Sequence, residues 1–392
     1  MRRVLSLSTL YPNAADPRFG TFVARSLEAL AARGYWHVTL INPIGLPPVT
    51  FGRYRDLARA AVGGEERKVQ VHRPTFRMIP RVGGRWNPAS IVSEVLPLAR
   101  KLHREQPFDL VDAQFFWPDG PAAAQIARAL RLPLSIKARG ADIHYWGTKP
   151  WARDAMLAAA ADAAGLLSVS GALADDMAAI GMARDKITIH YTGLDRDLFR
   201  PLQHDGLRGR VATQFRISLD SGPLLVTVGA LIPRKGQELA IRALAGLPDG
   251  DLVLVGKGPD AARLRELTRS LDLGERVHFL GPVDHSQLPV ILSAADAMVL
   301  PSASEGLANA WVEALACGTP IVIADAGGAR EVVTGPAAGR IVPRDAAAIT
   351  AALQELLASP PPRETVAEYV ADFDWRKNAA VLADYYSKII GG

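Results

Sequence analysis

Short aliphatic runs alternate with longer stretches whose apolar positions recur every three or four residues, and this alternation fills most of the chain. Val4 to Leu10 reads as a buried strand, Thr21 to about Arg33 as an amphipathic helix stopped near Gly34, and Trp36 to Ile41 as a second strand. Strand, glycine-containing loop, helix and strand make a βαβ unit, the signature of a parallel sheet. The series continues with a helix at 91–104, strand 110–113, helix 121–130, strand 134–138, helix 149–163, strand 165–170, helix 172–180 and strand 186–190.

Between Thr192 and Gly222 the apolar period breaks, and Pro201, Gly206 and Gly209 punctuate it, which marks a domain boundary. A second series then opens with strand 224–228 and helix 237–244. Strand 252–255, helix 261–271, strand 277–280 and helix 288–294 follow, then strand 297–300, helix 310–317, strand 320–324, strand 341–342 and helix 346–357. After Pro360, Pro361 and Pro362 the tail from Glu364 to Ile390 carries Trp375, Leu382, Tyr385 and Tyr386 at helical spacing, so it must pack against something. The expected fold class is therefore α/β, with two bodies and a crevice available for ligand.

Composition agrees with two cores. A chain of 392 residues is long for one hydrophobic core, and 49% hydrophobic against 22% charged residues can fill two of roughly 200 residues each. One cysteine excludes an internal disulfide framework and fits a reducing compartment; Cys317, on an apolar stretch, reads as a buried structural thiol. The short apolar run at the start lacks a cleavage region and reads as a strand rather than a leader, and no stretch approaches a membrane span. The expected location is cytoplasmic.

Charge adds a local feature. Between Phe51 and Arg85 nine Lys or Arg face three Asp or Glu, so this window holds a +6 excess within a chain of net charge +5. One reading is a solvated basic face; the other is a surface for anionic lipid, a lipid-linked acceptor or polysaccharide, with peripheral attachment at the inner face of the plasma membrane. Nucleic acid is disfavoured because no recognition motif or interleaved aromatic platform accompanies the basic residues. No metal constellation is present: the histidines are scattered, HExxH is absent, and Asp16, Asp119 and Asp142 establish no shared site.

The segment Pro301-Ser-Ala-Ser-Glu305-Gly-Leu307-Ala308-Asn309-Ala-Trp-Val-Glu313-Ala-Leu-Ala-Cys-Gly-Thr-Pro320 places Glu305 after a strand and Glu313 inside the next helix. Glu313 could bind a nucleotide ribose and Glu305 a transferred sugar, but taken alone the two carboxylates read better as an exposed N-terminal charge and a helix-surface ion-pair member. Gly229-Ala-Leu-Ile-Pro-Arg234-Lys235-Gly236, Leu254-Val-Gly256-Lys-Gly258-Pro259 and Val277-His-Phe279-Leu-Gly281 precede it. As an ordered set these motifs resemble the donor-binding domain of retaining glycosyltransferase family 4, whose fold is GT-B, and the resemblance extends over nearly the whole chain. Phe116-Trp117-Pro-Asp119-Gly and Arg139-Gly-x-Asp142 resemble the branch of bacterial exopolysaccharide and teichuronic acid glycosyltransferases.

The resemblance implies two Rossmann-like domains with parallel sheets facing across a cleft, at 1–198 for the acceptor and 199–370 for the donor, with 371–392 a helix returning to the first. It implies hexosyl transfer with retention from a nucleotide diphosphate sugar to a saccharide or lipid-linked saccharide, with no metal or other cofactor. Lys235, Arg234, Glu305 and Arg139 take catalytic positions in this picture. Gly20, Gly229, Gly256, Gly258, Phe279, Leu307, Ala308, Asn309 and Glu313 take donor-binding positions, and Trp117, Asp119 and Asp142 acceptor-binding ones. Gly20 would let backbone approach the diphosphate without a Cβ clash, although a plain turn glycine is the simpler reading. Asp119 reads also as a helix cap and Asp142 as an orienting partner of Arg139. The sequence departs from the family at Ala230, where arginine is common, with Arg234 as the compensating cation, and at Gln114, where histidine is common. Alternatives are a GT-B epimerase or phosphorylase, and a noncatalytic sugar-nucleotide or polysaccharide binding protein.

Overall fold

A computed structural model describes residues 1–80, 83–203 and 205–391. Arg81, part of the basic window, and Gly392, the last residue of the expected terminal helix, lie outside the described residues. The chain divides into two compact units, the first made of residues 1–193 and 375 onward, the second of 194–374.

The first unit carries β1 (Arg2–Leu7), β2 (Trp36–Ile41), β3 (Ile44–Leu46), β4 (Gly64–Glu66), β5 (Val69–His72), β6 (Thr75–Arg77), β7 (Leu110–Ala113), β8 (Leu134–Ala138), β9 (Gly165–Ser168) and β10 (Ile187–Ile189). Its main sheet runs β10-β9-β8-β7-β1-β2-β5-β4, parallel throughout except for β4 against β5. Every residue of β7, β8 and β9 is buried, as expected for a parallel sheet covered on both faces. β3 and β6 pair separately as a small two-stranded sheet.

The second unit contains β11 (Leu224–Val228), β12 (Asp251–Val255), β13 (Val277–Gly281), β14 (Ala297–Leu300), β15 (Ile321–Ala324) and β16 (Gly339–Val342), all parallel in the order β13-β12-β11-β14-β15-β16. Each sheet grows outward from its first strand in both directions, so strand order reverses between β1 and β7 and between β11 and β14. At such a reversal the connecting loops leave on opposite sides and open a crevice at the carboxyl ends.

The tail is the helix Trp375–Gly391, and it belongs to the first unit. Leu382, Ala383, Tyr385 and Tyr386 join Val23, Leu27, Leu30 and Trp36 in one core cluster, with the Tyr386 ring edge-on to Trp36 at 5.5 Å. Asn378 fastens it further: Ser26 Oγ donates to Asn378 Oδ1 at 2.9 Å, and Asn378 Nδ2 donates to the Tyr191 carbonyl at 2.6 Å.

Two regions hold elements that apolar spacing did not announce. Residues 42–80 form four short strands and the helix Arg53–Arg59, and the supposed linker holds the helix Leu207–Phe215. The three-residue strands are too short to show a period, and the helix Leu207–Phe215 buries only Leu207 and Val211, too few to show one. The first strand ends at Leu7 rather than Leu10, because Ser8 Oγ turns back to the Leu10 carbonyl. Cys317 is buried and its thiol is pushed up to about 12 by desolvation, the behaviour of a core group.

Candidate active site

In the second unit β11 delivers Gly229 and the short turn Pro233–Lys235, while β14, 70 residues later, delivers Pro301 to Glu305. These are the two strands flanking the reversal of strand order, so their loops meet at its carboxyl mouth. Glu305 lies between two cations: Lys235 Nζ donates to Oε1 at 2.5 Å, and Arg234 Nη1 stands 3.4 Å from Oε2 while also donating to the Ser304 carbonyl. The Glu305 side chain keeps 9% of its exposure and Lys235 15%, against 41% for Arg234, so the inner pair is shielded and the outer cation reaches solvent.

Backbone packing holds this cluster. The Ala303 N–H donates to the Arg234 carbonyl at 2.7 Å, and the Gly328 N–H donates to the Gly306 carbonyl at 2.8 Å, so loops from three strands grip residues 303–306. Gly256 adopts φ +144°, and a Cβ there would fall 1.9 Å from the Gly229 carbonyl oxygen; only glycine lets the β11 and β12 loops touch. Gly258 approaches the Leu231 carbonyl in the same way, and the aliphatic stem of Lys235 runs past Gly229.

The remaining donor-side positions scatter around this centre. Leu307 and Ala308 are buried ahead of the helix Asn309–Ala316, and Asn309 is exposed at its start. Glu313 is buried on that helix, but its Oε1 meets His285 Nε2 at 2.9 Å rather than Lys235. Phe279 packs partly against the core and is covered by Arg265, whose guanidinium carbon lies 4.5 Å from the ring centroid. Lys235, Arg234, Glu305 and Gly229 therefore form one cluster, with Glu313 and Phe279 in separate contacts of their own.

The first unit gathers polar groups at its own reversal. The Thr9 N–H, just after β1, donates to Asp119 Oδ2 at 2.9 Å, across the gap between β1 and β7. Asp119 opens the helix Asp119–Leu130 without capping it by side chain; its other oxygen is buried and unpartnered among the described residues, and desolvation raises the carboxyl to about 7. Asp142 is fully buried and accepts the backbone N–H groups of Phe116, Arg139, Gly140 and Ile143 at 2.8–3.2 Å, so it secures two loops and orients the Arg139 backbone rather than its guanidinium. Trp117 is 2% exposed, against Trp146 and Trp151 at 5.9 and 5.1 Å between ring centroids. Gly20, at φ +72°, would place a Cβ 2.5 Å from the Leu10 carbonyl carbon, so close packing of its own loop accounts for this glycine.

Arg139 is half-buried. Its Nε donates to the Gln114 carbonyl at 2.9 Å and Nη2 to Gln114 Oε1 at 2.6 Å, while the guanidinium lies over Phe22. Gln114 Nε2 in turn donates to Asp112 at 2.5 Å, and Ser6 Oγ donates to the same carboxylate oxygen. The family-divergent glutamine is thus the link between a buried carboxylate and the arginine. Apolar periodicity gave no role to Lys137, which is fully buried with Nζ 2.7 Å from His190 Nδ1 and 3.1 Å from the His190 carbonyl; desolvation pushes its ammonium well down. The one signal was a lysine inside LSIKA, a run expected to form a buried strand. No group of His, Cys, Asp and Glu among the described residues is arranged to hold a metal ion, and no described helix is long and apolar enough to cross a membrane.

Comparison with known proteins matches both units. Residues 20–198 fit the family model Glycosyltransferase Family 4, and residues 213–373 fit Glycosyl transferases group 1. A GDP-mannose-dependent alpha-(1-6)-phosphatidylinositol monomannoside mannosyltransferase of Mycolicibacterium smegmatis is 35% identical over 214 residues, covering 50% of this chain and 54% of the relative. A D-inositol 3-phosphate glycosyltransferase of the same organism is 32% identical over 52% of this chain and 48% of its own length. The chain thus spans about half the length of the curated relatives it matches. Among solved structures, the sucrose-phosphate synthase of Thermosynechococcus elongatus superposes with a TM-score of 0.78 at 23% identity over all of both chains. Anabaena Alr3699/HepE in complex with UDP-glucose superposes at 0.75 and 20% identity, over 99% of this chain and all of that one. Each unit thus matches a glycosyltransferase family model, and the chain shares its fold with these solved structures.

Proposed function

We propose that this chain transfers a hexosyl group, with retention of anomeric configuration, from a nucleotide diphosphate sugar to a saccharide or lipid-linked saccharide. The observation that carries the reading is the Lys235–Arg234–Glu305 cluster at the strand-order reversal of the second unit. Two cations held there by one carboxylate suit a diphosphate: its oxygens compete with Glu305 for Lys235 and Arg234, and the freed carboxylate accepts hydrogen bonds from sugar hydroxyls. As the glycosidic carbon–oxygen bond breaks, negative charge grows on the β-phosphate, and cations fixed in advance stabilise that charge more than the ground state.

In the transfer step the acceptor oxygen forms its bond to the anomeric carbon on the face the diphosphate leaves. The acceptor proton passes to a β-phosphate oxygen, so no protein nucleophile and no metal enters. A relative named for GDP-mannose and a structural neighbour bound to UDP-glucose support testing both nucleotides. The Arg-Gly-x-Asp and Phe-Trp-Pro-Asp-Gly motifs favour a role in exopolysaccharide or other cell-envelope glycan synthesis, while the relative named for phosphatidylinositol monomannoside favours a membrane-linked acceptor. The proposed location is the cytoplasm, at the inner membrane face, through the basic residues of the 51–85 window.

Donor consumption and product anomer followed by NMR test the reading, with UDP- and GDP-sugars and a panel of saccharide and lipid-linked acceptors. Retained configuration with transfer lost in Lys235→Ala and Glu305→Ala supports it. An inverted product sinks the mechanism, unchanged transfer in both variants sinks the site, and donor conversion without acceptor moves the chain to the epimerase reading.

A further inference from the structure

Gln114 and Arg139 are the first residues after β7 and β8, which are neighbouring parallel strands, so both side chains leave the sheet at the same carboxyl edge. The Gln114 N–H still donates to the Leu7 carbonyl at 3.0 Å, so extended pairing continues through it. Alternate residues of a strand share a face, which brings Asp112 of β7 to the same side as Gln114. The orientation of the amide follows from its partners. A guanidinium only donates, so Arg139 Nη2 meets Oε1, and Nε2 is left for the Asp112 carboxylate.

With its backbone carbonyl and its side-chain oxygen, Gln114 occupies the Nε and Nη2 edge of Arg139, and the Phe22 ring lies against the guanidinium face at 4.8 Å. Nη1 makes no hydrogen bond among the described residues and keeps solvent access. The charged and titratable groups around this cation are Asp112 on β7, Lys137 on β8, Asp142 beyond it, His190 after β10 and Tyr386 on the terminal helix. Burial draws the guanidinium down to about 10, so it stays a cation at neutral pH. Asp112 and Gln114 are both buried, and apolar residues of similar volume would join β7 to β8 without desolvating a carboxylate and an amide. What the polar chain supplies is its outer end, a cation with one edge held and one edge open.

Resting on the transferase reading above, we propose that Gln114 is a positioning residue for that reaction: it turns Arg139 so that Nη1 alone meets an incoming phosphate oxygen, while Asp112 and Ser6 lock the amide from behind. An arginine fixed in advance loses little rotamer freedom when it binds an anion, whereas one released from Gln114 must be ordered by the ligand. Two sources can supply the phosphate, the donor diphosphate and a phosphate-bearing acceptor, and they separate by which KM responds.

The test uses the full chain and reads transfer by NMR, with UDP- and GDP-sugars and with acceptors that carry or lack a lipid phosphate. Gln114→Leu is expected to lower kcat/KM about tenfold, but less than about twofold when Arg139→Ala is already present, because nothing is then left to position. Gln114→His serves where the leucine variant does not fold: neutral imidazole accepts from Arg139 and donates to Asp112, whereas imidazolium only donates. Its rate relative to wild type is then expected to fall about tenfold as pH drops from about 7 to 5. A raised donor KM identifies the diphosphate, and a KM raised only for the phosphate-bearing acceptor identifies that phosphate. A fall in kcat alone assigns the contact to charge growing on the leaving group. Equal losses with and without Arg139 make Gln114 a mere link between strands and overturn the proposal, as does a flat pH ratio where only the histidine variant folds. A wild type that transfers no sugar sinks the transferase reading instead, and the same paired comparison on UDP, GDP and inorganic phosphate binding then decides Gln114.

Discussion

Both units place their first strand at the centre of a parallel sheet, yet they treat buried charge in different ways. In the second unit Asp251, Glu305 and Glu313 are buried, and each meets a basic side chain: His278 at 2.7 Å, Lys235 at 2.5 Å and His285 at 2.9 Å. In the first unit Asp112, Asp119 and Asp142 are met by an amide, a hydroxyl and backbone N–H groups, and buried Lys137 by a histidine and a carbonyl. A carboxylate paired with a side-chain cation can surrender it to an anionic ligand, whereas one held by backbone N–H groups only fixes loops. On the proposed reading the second unit's cluster exchanges its cations with a ligand, while the first unit's buried carboxylates fix loops.

Their surfaces differ as well. Every large hydrophobic residue found exposed among the described residues belongs to the first unit, including Val49, Phe51, Val62, Ile79 and Trp86 within or beside the basic window. Apolar side chains interleaved with arginines suit an anionic lipid surface.

The sharpest way to break the contrast is to remove the exchangeable charge. Lys235→Ala and Glu305→Ala are each expected to lower transfer about 10²–10³-fold, as read by product NMR. The converse is Asn378→Leu, which removes the hydrogen bonds of the Asn378 amide to the Ser26 hydroxyl and the Tyr191 carbonyl and is expected to cost about 3 kcal/mol. Hydrogen exchange should then rise in the first unit alone, with nucleotide binding intact; equal loosening of both units would contradict the division.

A smaller effect belongs to the surface. Neutralising Arg53, Arg55 and Arg59 together is expected to weaken binding to anionic vesicles about tenfold or more, an effect that high salt mimics. Indifference to both leaves the basic window a solvated face.

A last test addresses the held charge. Asp119 titrates at about 7 in the folded protein, against about 4 for an unfolded aspartate. The folded state therefore binds more protons between these values, so Asp119 draws stability down as pH rises from about 4 to 7. Asp119→Asn should flatten that part of the pH–stability curve in denaturant titrations. An unchanged slope would mean that the burial cost is relieved by solvent.

Much of this was legible in the residues. Long apolar runs such as Leu224–Val228 and Ala297–Leu300 announce buried parallel strands because both faces are covered and no polar alternation interrupts them. Glu305 and Lys235 were legible through the motifs around them, since a lone carboxylate or lysine has no distinctive spacing. Asn378 left no signal: a single asparagine inside a helix looks like any surface residue, and only its bonds to Ser26 and the Tyr191 carbonyl set it apart.

What the sequence determined by itself was the alternation of elements, the division into two bodies and the set of motifs, because periodicity and turn chemistry act over a few neighbouring residues. Only the tertiary structure decided which charges meet. Lys235 and Glu305 are 70 positions apart, and Ser26 and Asn378 are 352 apart, so their pairing follows from strand order and packing. Burial then sets whether such a pair exchanges with ligand or holds the fold, and burial is a property of the assembled sheet.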